Sequence, residues 1–177
     1  MLVQMLWLRG LLFTVLVPGA IGFVVPLAVD PLAHRRGGVL DAGALLIGVG
    51  TLIYALCLIR FLAAGGTPAI FFARHLRFLI GEEPAGLVST GLYRYSRNPM
   101  YVGVLLVVFG QAIFFASLLL SIYAFAVLIF FYLIVVFVEE PHLRATRGGS
   151  YARYCRAVPR WLGVPSPLKT EIRGSTR

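Results

Sequence analysis

Two short stretches hold the residue types that could do chemistry. In the first, Arg94 and Arg97 precede Asn98-Pro99, where a long apolar run begins. In the second, the same run closes on Glu139-Glu140-Pro141. Proline suits the first position of a helix. Asparagine is a strong N-cap, and a residue before proline avoids the α region. The spacing therefore predicts a helix starting at Pro99. Such a start presents free N–H groups and partial positive charge, which favour an anion such as a carboxylate. Arg94 and Arg97 would reinforce it. The cap alone also explains Asn98 without a ligand, so both readings stand. The glutamates are harder to explain locally. They close an apolar helix, where the dipole disfavours carboxylates, and they repel each other. Pairing with nearby arginines at the headgroup level is one account. A ligand carrying an ammonium or sulfonium group is the other, and ionisable residues at membrane depth favour it. Tyr93, Tyr95 and Tyr101 flank the cap. They read either as interfacial anchors or as cation–π partners contributing ~0.5–2 kcal/mol each.

These residues need a membrane to position them. Of 177 residues, 59% are hydrophobic and only 13% charged, and the mean hydropathy is +0.89. That composition predicts an all-α, polytopic membrane helix bundle. A span needs ~20 apolar residues. Four candidates appear: roughly 7–29, which contains Pro18 and Pro26; 42–64; 99–117; and 118–138. The last two form one charge-free run, too long for a single crossing, and read as a tight hairpin broken near Ser117 and Ser121. Both termini then share one side. Of the 16 lysines and arginines, only Arg35 and Arg36 fall between the first two spans. The positive-inside rule puts the termini, the 65–98 segment and the tail in the cytoplasm. The net charge of +9 is assigned to lipid headgroups, and nucleic acid is not an expected partner. Neither CxxC nor HxxxH occurs, so no metal site is expected. Cys57 and Cys155 are not expected to pair. The apolar N-terminus reads as a retained span rather than a signal peptide.

Three organisational units follow. Residues 1–64 hold two membrane helices, 65–163 form a core, and 164–177 form a fraying tail. After the turn Gly65-Gly66-Thr67-Pro68, residues Ile70 to Leu79 mix apolar side chains with Arg74, His75 and Arg77. This suggests a short interfacial helix or a plain connector. Ala44, Gly48 and Gly50 suggest a small-residue helix contact. Tyr151 and Tyr154 share a face of an expected basic amphipathic helix, which could cover the cytoplasmic mouth.

Taken together, Gly65-Gly66-Thr67-Pro68, Gly91-Leu92-Tyr93-Arg94-Tyr95, Arg97-Asn98-Pro99-Met100-Tyr101-x-Gly103, Glu139-Glu140-x-x-Leu143 and Gly148-x-x-Tyr151-x-x-Tyr154-x-x-x-Val158-Pro159-Arg160 resemble the isoprenylcysteine carboxyl methyltransferase and phospholipid methyltransferase superfamily. The resemblance covers roughly residues 65–161. It implies an integral membrane enzyme with S-adenosyl-L-methionine as cofactor, bound at the cytoplasmic ends of the last spans, and a lipophilic methyl acceptor. The implied cofactor-binding residues are Leu87, Val88, Tyr93, Asn98, Pro99, Met100, Tyr101 and Glu139, with Glu140 next and Arg97 beside the cap. No residue is singled out as catalytic.

Two positions depart from the prenylcysteine enzymes. Asn98 stands where they usually carry histidine, which excludes imidazole acid–base chemistry there. Val135-Val136-Phe137-Val138 lacks the arginine that precedes their glutamate pair and reads a substrate carboxylate. Both weigh against a prenylcysteine carboxylate. The expected activity is therefore an isoprenylcysteine carboxyl methyltransferase-like methylation of a lipophilic acceptor. The alternatives are a phospholipid, amine or thiol methyltransferase of the same superfamily, or a non-catalytic membrane scaffold. A sterol-reductase-like protein would need many more spans.

Overall fold

The structure, a computed structural model, describes residues 2–32, 41–67, 84 and 86–163. The loop arginines Arg35 and Arg36, the expected interfacial segment with Arg74, His75 and Arg77, and the tail from 164 onward lie outside the described residues. All the regular elements among the described residues are helices. Helix α1 (Leu2–Thr14) runs through a π-helical segment (Val15–Val24) into α2 (Val25–Val29). Helix α3 spans Asp41–Ala63 and a 3₁₀ turn spans Gly91–Arg94. The hairpin is α4 (Pro99–Phe114) and α5 (Leu118–Ile134). A second π segment, Val135–Glu139, leads into α6 (Glu140–Ala157). Three stretches are long and apolar enough to cross a membrane: Leu6–Val29, Ala42–Ala63 and the one beginning at Leu118. Helix α4 is apolar but shorter, at 16 residues, or ~24 Å at 1.5 Å per residue.

Proline shapes the first span. Pro18 lies inside its π segment, where the wider turn accommodates a residue without an N–H. Pro26 withholds the donor that the Gly22 carbonyl would use in an α turn and the Ile21 carbonyl would use in a π turn. Both carbonyls are filled from the hairpin. The Gln111 side-chain amide donates to Gly22, and the Tyr123 hydroxyl donates to Ile21 at 2.8 Å. In lipid an unfilled carbonyl costs several kcal/mol, so these two bonds hold the first helix against α4 and α5.

Helices α3 and α4 approach through glycine. A Cβ on Gly50 would sit 2.5 Å from the Gly103 carbonyl oxygen, and one on Gly110 would sit 2.9 Å from that of Gly43. Where the solvent is as apolar as the side chains, such close backbone approach drives association. The expected contact is thus partly corrected. Gly50 belongs to it, but Gly48 faces open space, and Gly43, one heptad before Gly50, takes its place. Phe115 and Ala116 (φ 47°) then turn the hairpin. The Ser117 Oγ accepts from Leu120 N at 3.2 Å and donates to Asp30 at 2.6 Å, which ties that turn to the end of α2.

The helix does not stop at the glutamates. It passes through Val135–Glu139 into α6 without a break. The π turn again coincides with a proline, Pro141, near the start of the following helix. The carboxylates therefore do not sit at a helix C-terminus, and the dipole penalty expected from sequence does not apply. Helix α6 is not a single amphipathic rod either. Gly148 adopts φ 48° and ψ −126° and kinks it, a conformation only glycine enters cheaply.

Candidate functional site

Helix α4 starts at Pro99, with Asn98 in the cap position. The Asn98 side chain makes no capping bond, however. Its Nδ2 donates to the Arg160 carbonyl at 2.9 Å, and its own N–H donates to the Ser96 Oγ at 3.0 Å. Asparagine is used here to hold the returning C-terminal segment. The adjacent Arg97 N–H donates to the Pro159 carbonyl at 2.9 Å, and the Tyr154 hydroxyl donates to the Tyr93 carbonyl at 2.7 Å. Residues 154–160 are thereby strapped across the start of α4.

Glu140 locks that strap. It is 5% exposed and meets three arginines. Arg97 Nη1 lies 2.9 Å from Oε1, Arg160 Nε 2.6 Å from Oε1, and Arg144 Nη2 3.6 Å from Oε2. Burial works to raise the Glu140 pKa, but the Arg160 hydrogen bond and the three positive charges outweigh it, and the net shift is downward. The same bond raises the Arg160 pKa. Arg97 Nη1 also donates to the Cys155 Sγ at 2.9 Å. Its Nε is buried and makes no hydrogen bond with the described residues.

Glu139, one residue earlier, has other neighbours. The Tyr101 hydroxyl donates to its Oε1, and Tyr101 packs against Phe131 with ring centroids 4.6 Å apart. Tyr93, buried and held edge-on to Phe61 at 5.6 Å, has its pKa pushed well up by burial. Its hydroxyl therefore stays protonated across the ordinary pH range.

A partly open cleft with a cavity volume of about 160 Å³ gathers these groups. Of the ten residues expected from sequence, Leu87, Val88, Tyr93, Arg97, Asn98, Met100, Tyr101, Glu139 and Glu140 line it. Pro99 does not; it is buried at the start of α4. The cleft also has an apolar limb that the sequence reading missed. Phe13, Val17, Pro18 and Ile21 of the first span and Tyr54 of α3 form it. Both π segments reach the cleft, and π turns often mark functional positions. Pro18 was the available signal on the first span, but nothing local distinguishes Tyr54 from other interior tyrosines. Arg147, whose Nη2 donates to the Pro84 carbonyl at 2.7 Å, joins the far wall to α6.

The arrangement can hold a zwitterion. A carboxylate and aromatic faces suit its cationic end, and the Arg97 guanidinium, on the cleft wall, suits its anionic end. A family model described as phospholipid methyltransferase matches residues 40–148, more than half of the chain. No curated protein and no solved structure matches.

Proposed function

Since the chain belongs to the phospholipid methyltransferase family, a family of membrane methyltransferases, we propose that it uses S-adenosylmethionine to methylate a lipophilic acceptor. One observation carries this reading. Glu139 and Arg97 line the same aromatic-walled cleft, matching the amino and carboxylate groups of a methionine moiety. When bound, S-adenosylmethionine supplies an electrophilic methyl group on a sulfonium centre. Everything else falls to the chain's own residues. Glu139, aimed by Tyr101, neutralises an ammonium group. Arg97 orients a carboxylate. The faces of Tyr93, Tyr101 and Tyr54 stabilise positive charge at about 0.5–2 kcal/mol each. The limb formed by Phe13, Val17 and Ile21 excludes water and aligns an apolar acceptor, which enters from the bilayer. The arginine distribution orients the cleft towards the cytoplasm. Radiolabelled S-adenosylmethionine should bind the purified protein saturably and fail to bind a folded Glu139→Ala variant. Absence of saturable binding to the wild type would sink the reading.

The site also favours an amine over a carboxylate as the accepting group. In this reading Arg97 already serves the cofactor carboxylate, Arg160 is held by Glu140, and Val135–Val138 offers no cation. A carboxylate entering the apolar limb would meet Glu139 instead. An amine must be neutral to attack, and an apolar site lowers its pKa in that direction. Thin-layer analysis of lipids from expressing cells should show new N-methylated species. Methylation of N-acetyl-S-farnesylcysteine instead would restore the isoprenylcysteine carboxyl methyltransferase-like assignment. A normally folded protein that methylates neither would be a scaffold.

A further inference from the structure

Among the described residues, Tyr54 brings the only side-chain heteroatom to the apolar limb of the cleft. It is 9% exposed and shares a buried cluster with Val104 and Phe131. Its phenol oxygen lies 2.9 Å from the Thr14 Oγ1, which in turn lies 2.8 Å from the Gly10 carbonyl oxygen. Counting protons fixes the direction of both bonds. A carbonyl oxygen has none to give, so the Thr14 hydroxyl donates to it, one turn back along the helix. With that proton committed, Thr14 can only accept from Tyr54. The Tyr54 proton is therefore committed too, while its oxygen keeps a lone pair that no described residue claims. Towards the limb, Tyr54 is an acceptor and not a donor.

We infer that Tyr54 selects for a hydrogen on the atom that receives the methyl group. An amine in the limb can donate one N–H to the phenol oxygen, which fixes the direction of its own lone pair. That lone pair forms the new N–C bond as the methyl–sulfur bond breaks and leaves its electrons on sulfur. The surplus proton leaves the product ammonium to water at the open side of the cleft. Primary and secondary amines meet this requirement. A neutral tertiary amine has the lone pair but no N–H, and it would bury the Tyr54 oxygen unpaired. A carboxylate would set like partial charge against that oxygen. The chain should therefore stop at the dimethylated amine, with Thr14 as the positioning residue that keeps the Tyr54 proton out of the limb. The stop rests on the methyltransferase reading of the cleft; the acceptor-only state of Tyr54 does not.

The test uses the full chain in neutral detergent. Decanamide and N,N-dimethyldecanamide stay uncharged at neutral pH and differ in their N–H groups. Calorimetric titration without cofactor gives their affinity ratio, in which partition into detergent is the same for every variant. Wild type should prefer decanamide by about tenfold. Tyr54→Phe should lose most of that preference. Thr14→Val should lose it as well, because the freed hydroxyl can then turn into the limb, and Thr14→Ser should retain it. With radiolabelled S-adenosylmethionine, kcat/KM for N,N-dimethyldecylamine should be about tenfold below that for N-methyldecylamine, and Tyr54→Phe should narrow the gap. Equal amide ratios in wild type and a folded Tyr54→Phe variant would overturn the inference. If that variant misfolds, equal ratios in Thr14→Val and Thr14→Ser would do the same. Tertiary amine methylated as fast as secondary would overturn the stop. No transfer to any amine, with the Tyr54-dependent amide preference intact, would remove the methyltransferase reading and leave the acceptor-only oxygen standing.

Discussion

Glu139 and Glu140 are chemically identical neighbours with opposite surroundings. Glu140 is buried under three arginines and ties residues 154–160 to the start of α4. Glu139 turns to the cleft and takes its hydrogen bond from a tyrosine. One residue of helix rotates a side chain by ~100°, enough to put one carboxylate on the strap and the other in the cleft. An acidic pair at the end of an apolar run is therefore not one ligand site counted twice. One member holds the architecture and the other lines the cleft.

That division can be broken most severely at Glu140. Glu140→Ala strands buried Arg97 without its counter-charge. We expect a loss of about 3 kcal/mol or more, seen as a lower thermal midpoint in detergent. A midpoint equal to wild type would show that the arginines find other partners. Glu139→Gln should do the reverse, with unchanged thermal stability and S-adenosylmethionine affinity weakened at least tenfold, about 1.4 kcal/mol. If it unfolds the protein instead, the two glutamates share one structural role. Acid should separate them as well. The folded-state pKa of Glu140 lies below its ordinary value of 4.5. Its stabilisation is thus fully present above that value and lost as pH falls through the lowered folded value. Melting curves between pH 7 and pH 3 should decline more steeply for wild type than for Glu140→Gln. The smallest effect belongs to Tyr101→Phe, which removes one hydrogen bond to Glu139. It should weaken cofactor binding severalfold, about 1 kcal/mol, without moving the melting midpoint.

Much of the frame was legible because local chemistry decides it. Asn98-Pro99 suits a helix start, and a charge-free run too long for one crossing must fold back, here next to Ser117. Membership of the cleft was legible for nine residues because the motif carried it. What stayed hidden depends on contacts between distant residues. Pro141 reads locally as a stop, yet the π turn lets the helix continue. Asn98 looks like a capping side chain, yet it bonds a carbonyl 62 residues away. Gly48 and Gly43 are the same residue type, and only the path of α4 decides which of them is contacted.

The pairing of Ile21 and Gly22 with Tyr123 and Gln111 has a consequence for biogenesis. The first helix emerges from the ribosome well before its partners, which follow it by 102 and 89 residues. Until they arrive, two carbonyls face lipid or borrow water, at several kcal/mol each. The nascent protein thus carries an unfinished backbone that only the hairpin can complete. Docking of the hairpin should be the step at which truncated chains become protease-resistant, and Gln111→Leu should delay it.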